Sequence, residues 1–235
     1  MSSLFSYNNP EFDEYASEYD AALQQGLSIS GEDKHYFAHG RIDWLARCLR
    51  RMGERPRAVM DFGCGTGSAT PYLFELLGAA TVTGVDISEK SLEAARRAFG
   101  SDRAQFSRFG ERGPDESIDL AFSNGVFHHI PPGERAQAID YVYRSLRRGG
   151  LFALWENNPW NPGTRLIMSR IPFDRDAKTL SSLEAKRLLR HSGFEILRTD
   201  YLFIFPRALK WFRALEPALS RLPLGGQYEV ICRKP

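Results

Sequence analysis

Cysteine is scarce in this chain. Cys48, Cys64 and Cys232 are its three thiols, odd in number and widely spaced. That pattern argues against a disulfide framework and a zinc site, and suits reduced thiols in a cytoplasm. Long apolar runs are missing as well, since none approaches the ~18 residues of a membrane span. The opening MSSLFSYNNPEFDEYASEYD is acidic and has no apolar centre, so it is not read as a secretory signal. Net charge is small: 31 basic and 29 acidic side chains leave +2. With the basic residues spread along the chain, nothing supplies the strong positive field that draws nucleic acid. No repeat and no low-complexity tract is visible, and no cluster of metal ligands, so metal independence is expected.

At 235 residues, the chain is long enough to bury a full core without staples. Residues 1–38 are polar and aromatic, with one or two short helices expected around Glu11 to Leu23 and then a loop. Residues 39–235 read as the main domain, carrying substrate-side insertions at about 157–180 and 206–224. A helix is expected from about Gly40 to Met52, followed by a strand at Ala58 to Phe62. Thr70 with Pro71 reads as an N-cap and first helical residue, opening a helix that ends near Gly78. TVTGVD is the next strand, and Ser88 caps a helix to about Phe99. AQFSRF and IDLAFSN are strands, Gly133 to Arg148 a helix stopped by Gly149 and Gly150, and LFALWE a strand. Residues 157–179 read as loop. Ser181 and Glu184 form a capping box, and two late strands lie around Glu195 to Phe205 and Gln227 to Cys232. Strands and helices alternate from residue 58 to 156. This predicts an α/β fold: a doubly wound, Rossmann-like, seven-stranded, mostly parallel sheet with an antiparallel edge strand.

The stretch AVMDFGCGTGSATP places Gly63, Gly65 and Gly67 between the first strand and its helix, where open α/β sheets bind ligands. One glycine makes a turn; three alternating ones suggest that a ligand lies against the backbone. The spacing is neither the dinucleotide G-x-G-x-x-G nor a P-loop, and Asp61 would repel a pyrophosphate. Asp86, ending the next strand, stands where a carboxylate accepts hydrogen bonds from ribose hydroxyls. A nucleoside with a cationic, phosphate-free tail fits, and S-adenosylmethionine answers that description.

VMDFGCGTG resembles the first motif of the class I S-adenosylmethionine-dependent methyltransferases, VTGVDIS their second and IDLAFSNGVFHHI their fourth; LRRGGLFALWE looks like the helix and strand that follow. The resemblance covers about residues 40 to 156. It implies S-adenosylmethionine as cofactor, with Asp61, Gly63, Cys64, Gly65 and Gly67 at its methionine end and ribose, Asp86 on the ribose hydroxyls and Ile87 on the adenine. Ser123 and Asn124 would lie beside the methionine amino group or sulfonium. The third motif departs from the family: FSRFGERG offers Arg108, Phe109 and Gly110 where an acid is usual, leaving Glu111, the backbone or the Phe109 ring to hold adenine.

A sulfonium methyl needs an acceptor held in line and shielded from water, and a hydroxyl acceptor gains from a general base. His128 and His129, after the fourth strand, are candidates for that base or for packing and capping. Glu156 opens ENNPWNPGTR and reads as base or hydroxyl orienter, or as the start of a turn-rich connector. In similar methyltransferases a segment such as residues 1–38 forms a helical lid with a tyrosine closing over the cofactor; Tyr15 and Tyr19, four apart on one helix face, would serve so or pack as core, and Tyr19 is the cofactor candidate. Leu209, Phe212, Leu215, Leu219 and Leu222 form a stripe with Arg207, Lys210, Arg213 and Arg221 alongside. It reads as a cover for the sheet or active site, with Pro217 breaking the helix and peripheral membrane contact not favoured.

A small-molecule acceptor is expected, from natural-product, sugar, lipid-linked or quinone chemistry, with oxygen slightly favoured over nitrogen or carbon. Two alternatives stay open: a nucleic-acid or protein methyltransferase, disfavoured by SNGV where NPPY-like residues serve a planar amino group, and a non-catalytic cofactor-binding partner protein.

Overall fold

The computed structural model describes residues 30–111, 113–171 and 177–235. Tyr15 and Tyr19, and with them most of the expected lid, lie outside the described residues. Seven strands are present: β1 Ala58–Phe62, β2 Thr81–Asp86, β3 Ala104–Arg108, β4 Ile118–Asn124, β5 Leu146–Asn157, β6 Glu195–Leu202 and β7 Gln227–Arg233. They form one sheet in the order β3-β2-β1-β4-β5-β7-β6. The first five strands pair in parallel, while β7 runs antiparallel to both β5 and β6. The antiparallel pairing therefore falls at that side of the sheet, with β7 one strand in and β6 outermost. Because β2 and β3 lie on one side of β1 and β4 on the other, the order reverses between β1 and β4. A crevice opens at the carboxyl ends of these two strands.

The central strands are apolar because both faces are covered. On one face Met60, Phe127, Phe152, Leu154, Tyr228 and Val230 pack with Ala138, Ile139, Val142, Ala185 and Leu189. These last five come from helices α4 (Arg135–Ser145) and α6 (Ser182–His191). On the other face Val59, Leu120, Ala153 and Trp155 pack with Ile42, Leu45 and Leu49 of α1 (Lys34–Met52) and Leu73 of α2 (Thr70–Glu75). Each fully buried Val, Leu, Ile, Phe or Met side chain among these contributes about 1.5–3 kcal/mol. Helix α3 (Glu89–Phe99) covers β3 through Leu92 and Ala95.

Several boundaries differ from the sequence-based expectation, each for a local reason. Helix α1 starts at Lys34 because the Asp33 carboxylate accepts the Tyr36 N–H at 2.8 Å. Gly40 lies inside it, where a Cβ would come within 2.9 Å of the Phe203 ring. Thr70 is a helical residue rather than the cap of α2: Ala69 occupies the cap position without a side-chain bond. Helix α4 ends at Ser145, and the predicted extension to Arg148 is instead the start of β5. Gly149 N–H donates to Lys234 O (2.8 Å) and Lys234 N–H to Gly150 O (2.9 Å), long-range pairings invisible to local propensity. The expected loop after Asn157 contains α5 (Pro162–Met168), whose cap Asn161 accepts the Thr164 N–H at 3.0 Å. The apolar stripe forms no regular helix: Arg207–Leu215 is 3₁₀ and Glu216–Leu219 a single turn, α7. The capping box of α6 forms as read, Ser181 N–H meeting Glu184 Oε2 at 2.8 Å. Among the described residues no helix is long and apolar enough to cross a membrane.

Candidate active site

At the end of β1 the chain turns sharply through Gly63 (φ 75°) and Gly65 (φ 52°), both left-handed. Gly63 and Cys64 N–H groups donate to the Val85 carbonyl at 2.7 and 3.1 Å, fixing the turn to the end of β2. A Cβ on Gly63 would stand 2.2 Å from Val126, so bulk is excluded there; one on Gly65 would meet nothing within 4 Å. The Gly65 backbone thus borders open space, as close approach of a ligand requires. Gly67 serves packing: its Cβ would meet Ala95 and Phe99 of α3 at 3.1 and 3.0 Å.

Two carboxylates flank the turn. Asp86 accepts the Gly65 N–H on Oδ2 at 2.8 Å and the Ser88 N–H on Oδ1 at 2.9 Å, so its orientation is locked. Asp61 is only 3% exposed, and its carboxylate forms no hydrogen bond or ion pair among the described residues. Burial, then the charge of Asp86, pushes its pKa up to about 7. A buried carboxylate without a partner is costly, and a cationic group placed beside it removes that cost. The turn and its acids therefore fit a positively charged ligand with vicinal hydroxyls.

The turn borders a cavity of about 500 Å³. Asp61, Gly63, Cys64, Gly65, Asp86 and Ile87 line one end. Phe109, Asn124, His128 and His129 line its next sector. Ser123 is fully buried behind this wall, its hydroxyl without a hydrogen-bond partner, and Gly67 also lies outside the lining. Phe109 is held by its N–H on Asp86 O at 2.8 Å and by ring contacts with Tyr141 (4.5 Å) and Phe62 (5.9 Å). Glu111 turns back to accept the Arg108 N–H at 3.0 Å.

Glu156, the last but one residue of β5, is buried beneath His128. Its Oε2 meets His128 Nδ1 at 2.6 Å and its Oε1 accepts the Phe127 N–H at 2.7 Å. Both side chains are almost wholly buried. Burial alone would raise the Glu156 pKa, yet His128 and the Phe127 N–H together hold it below the usual carboxylate range. An ionised Glu156 accepts a hydrogen bond from Nδ1–H, which makes Nε2 the unprotonated nitrogen of the neutral ring. The His129 ring lies against that of His128, centroids 4.0 Å apart and planes tilted by 46°.

The far half of the cavity is largely apolar, with Phe37, Ile167, Met168, Ile171, Phe203 and Phe205 in its wall. Lys34, Arg41 and Arg213 also line the cavity. Arg41 Nε donates to Gln227 Oε1 at 2.8 Å. Arg213 pairs with Glu32 at 3.0 Å and lies over the Tyr36 ring at 4.6 Å. Sequence reading named 157–180 and 206–224 as substrate-side but singled out none of these apolar residues, because they come from α1, α5 and the segment after β6, and no local motif joins them.

Among the described residues one group of possible metal ligands occurs, Cys48, Asp200 and Glu229, within 4.8 Å of one another. It lies under α1, away from the cavity. Trp44 Nε1 donates to Asp200 Oδ2 at 3.2 Å, and the Arg198 guanidinium is bonded to that oxygen, so the chain itself supplies the neutralising cation.

Comparison with known proteins places these features in a family context. A profile described as "Methyltransferase domain" matches residues 60–152. A trans-aconitate 2-methyltransferase of Escherichia coli O1:K1 / APEC is 26% identical over 212 residues, covering 84% of this chain and 83% of that protein. Its counterpart in Rhizobium rhizogenes (strain K84 / ATCC BAA-868) is 36% identical over 99 residues, 41% of this chain but 37% of that protein. Among solved structures, a SAM-dependent methyltransferase and possible histamine N-methyltransferase from Thermotoga maritima aligns with TM-score 0.66. The identity is 21%, covering 95% of this chain and 98% of that one. A SAM-dependent methyltransferase from Mesorhizobium loti aligns with TM-score 0.58 at 22% identity, covering 80% and 96%. At these identities the structural likeness speaks for the fold.

Proposed function

We infer that this chain, a class I S-adenosylmethionine-dependent methyltransferase, methylates a hydroxyl oxygen of a small, partly apolar acceptor, with His128 as general base and Glu156 as its orienting partner. The observation that carries this reading is the buried Glu156–His128 contact at 2.6 Å in the wall of the cavity.

S-adenosylmethionine supplies an already activated methyl group, so the protein has to bind, orient and exclude water. Asp61 offers a negative partner for the donor's positive charge, Asp86 two acceptor oxygens for its ribose, and Gly65 a bare backbone. A hydroxyl becomes a better nucleophile as its proton leaves, which calls for a general base. His128 serves as that base: Glu156 fixes its tautomer and stabilises the cation formed when Nε2 takes the proton. A carboxylate acceptor is nucleophilic without a base, whereas a hydroxyl needs one. The buried His128–Glu156 pair, with the apolar far wall, favours a hydroxyl over the polycarboxylate that the relatives' name denotes. That name does support a small-molecule acceptor in general.

Deuterated S-adenosylmethionine incubated with cell extract and the enzyme should yield a labelled O-methyl product. His128→Gln should cut its rate of formation about 10²–10⁴-fold, with donor affinity by calorimetry unchanged. A label found on nitrogen or carbon, or full activity in His128→Gln, overturns the assignment.

A further inference from the structure

Nine large apolar side chains stand exposed among the described residues, and eight of them come from just two segments. Trp160 and Leu166 belong to the piece around α5; Leu209, Trp211, Phe212, Leu215, Leu222 and Leu224 belong to the piece between β6 and β7. No residue of Arg207–Leu215 is buried, and Trp211 is 72% exposed. The two segments are bonded to each other. Asn161 Nδ2 donates to Leu224 O at 2.8 Å, Asn158 Nδ2 to Gly225 O at 2.8 Å and Thr164 Oγ1 to Gly226 O at 2.7 Å. Both leave the end of the sheet where β5 and β6 finish and β7 begins.

Charge in these two segments is predominantly positive, although Arg213 pairs with Glu32 at 3.0 Å and Arg221 with the buried Asp200 at 3.5 Å. Residues 157–171 and 206–226 hold Arg165, Arg170, Arg207, Lys210, Arg213 and Arg221, against one acid, Glu216. Glu216 is buried, bonded to the Phe203 and Phe205 N–H groups. The rest of the chain is net acidic by comparison, since the whole carries only +2. Arg165, Arg170 and Lys210 are exposed and make no ion pair among the described residues.

We propose that this face docks on a bilayer containing anionic phospholipid. Tryptophan and phenylalanine interleaved with long basic side chains suit the boundary between headgroups and acyl chains: rings enter it, and cations meet the phosphates. A second copy of the chain fits poorly, because a two-fold contact sets the same basic patch against itself. The apolar groups are also dispersed among the cations rather than gathered in a pocket, which matches a fluid surface better than a partner of fixed contour. The same segments wall the acceptor half of the cavity through Asn161, Ile167, Phe205 and Arg213. An acceptor with an apolar tail therefore reaches it from the bilayer; this last step alone rests on the proposed chemistry.

Co-sedimentation tests the docking with the full chain and two vesicle preparations, phosphatidylcholine alone and phosphatidylcholine mixed with phosphatidylglycerol. Binding to the mixed vesicles, falling with added salt, is expected. Trp211→Ala with Phe212→Ala should weaken partition about ten-fold or more, and Lys210→Glu with Arg165→Glu should remove the salt-sensitive part. The charge-reversed protein keeps the test valid should the aromatic double variant fold badly. No sedimentation with anionic vesicles overturns the proposal. So does equal partition of both variants and the native chain, or a concentration-dependent dimer that the aromatic variant abolishes. Neither donor nor acceptor is present, so failure here leaves methyl transfer standing, and an inactive His128→Gln should sediment like the native protein.

Discussion

Asp61→Asn tests the link between an isolated buried carboxylate and a cationic donor. The native Asp61 carboxyl titrates at about 7 rather than 3.8, raised first by burial and then by Asp86. A displacement of that size corresponds to about 4 kcal/mol between its two protonation states. The sign follows from proton counting. Between the unfolded value and about 7 the folded chain holds a proton that the unfolded chain has lost. Stability of the cofactor-free protein is therefore full below the unfolded value, and it falls as pH rises toward 7 and beyond. Donor binding runs the other way, because the positive ligand prefers the ionised carboxylate. With a group titrating near 7, affinity should rise about ten-fold between pH 6 and pH 8. Asn holds no charge at either pH, so the variant should bind more weakly at pH 8 and lose most of this slope. Comparing the two proteins also cancels titration of the donor itself. Isothermal calorimetry with S-adenosylmethionine at both pH values reads the slope, and thermal unfolding without ligand reads the stability term. Equal pH slopes in both proteins, or a native affinity that does not change across the range, would refute the placement of positive charge at Asp61.

Three further outcomes are expected. Glu156→Gln keeps the shape of the side chain but removes the charge that orients His128. Turnover should fall at least about ten-fold with its pH profile displaced, while donor affinity holds; an unchanged profile would leave Glu156 a structural residue. Asp86→Ala strips the Gly65 and Ser88 N–H groups of their acceptor as well as any ribose contact, and should weaken donor binding more than about ten-fold, or about 1.4 kcal/mol. Unaltered binding by calorimetry would remove Asp86 from the site. Gly65→Ala places a side chain at φ 52° with open space around it, so backbone strain alone applies. A cost of about 1–2 kcal/mol should lower Tm by roughly 2–8 °C, and a Tm equal to the native value would show the turn to be relaxed.

Much of the molecule is written locally. The alternation of apolar strands with capped helices from residue 58 to 156 settles the doubly wound sheet, since each strand needs cover on both faces and each helix supplies it. The glycine turn and the Asp86 position follow from spacing too, because a strand end, a positive φ and a helix start occupy consecutive residues. The sequence also presents His128 and Glu156 as separate candidates. Nothing local joins them: they are 28 residues apart, and they meet because β4 and β5 pair in parallel, bringing the residues beyond one strand beside the end of the other. The same holds for Gly149 and Gly150, whose pairing with Lys234 turned a predicted helix end into strand. It holds as well for the apolar half of the cavity, assembled from α1, α5 and the segment after β6. Periodicity alone made the 207–222 stripe a cover for the sheet or the active site. The sheet faces are already filled by α1, α4 and α6, so the segment lies beside the cavity instead, with most of its apolar side chains exposed. What short-range chemistry fixes is the fold and the glycine turn; which side chains pair, and which face is left open, depends on contacts that exist only after the strands have paired.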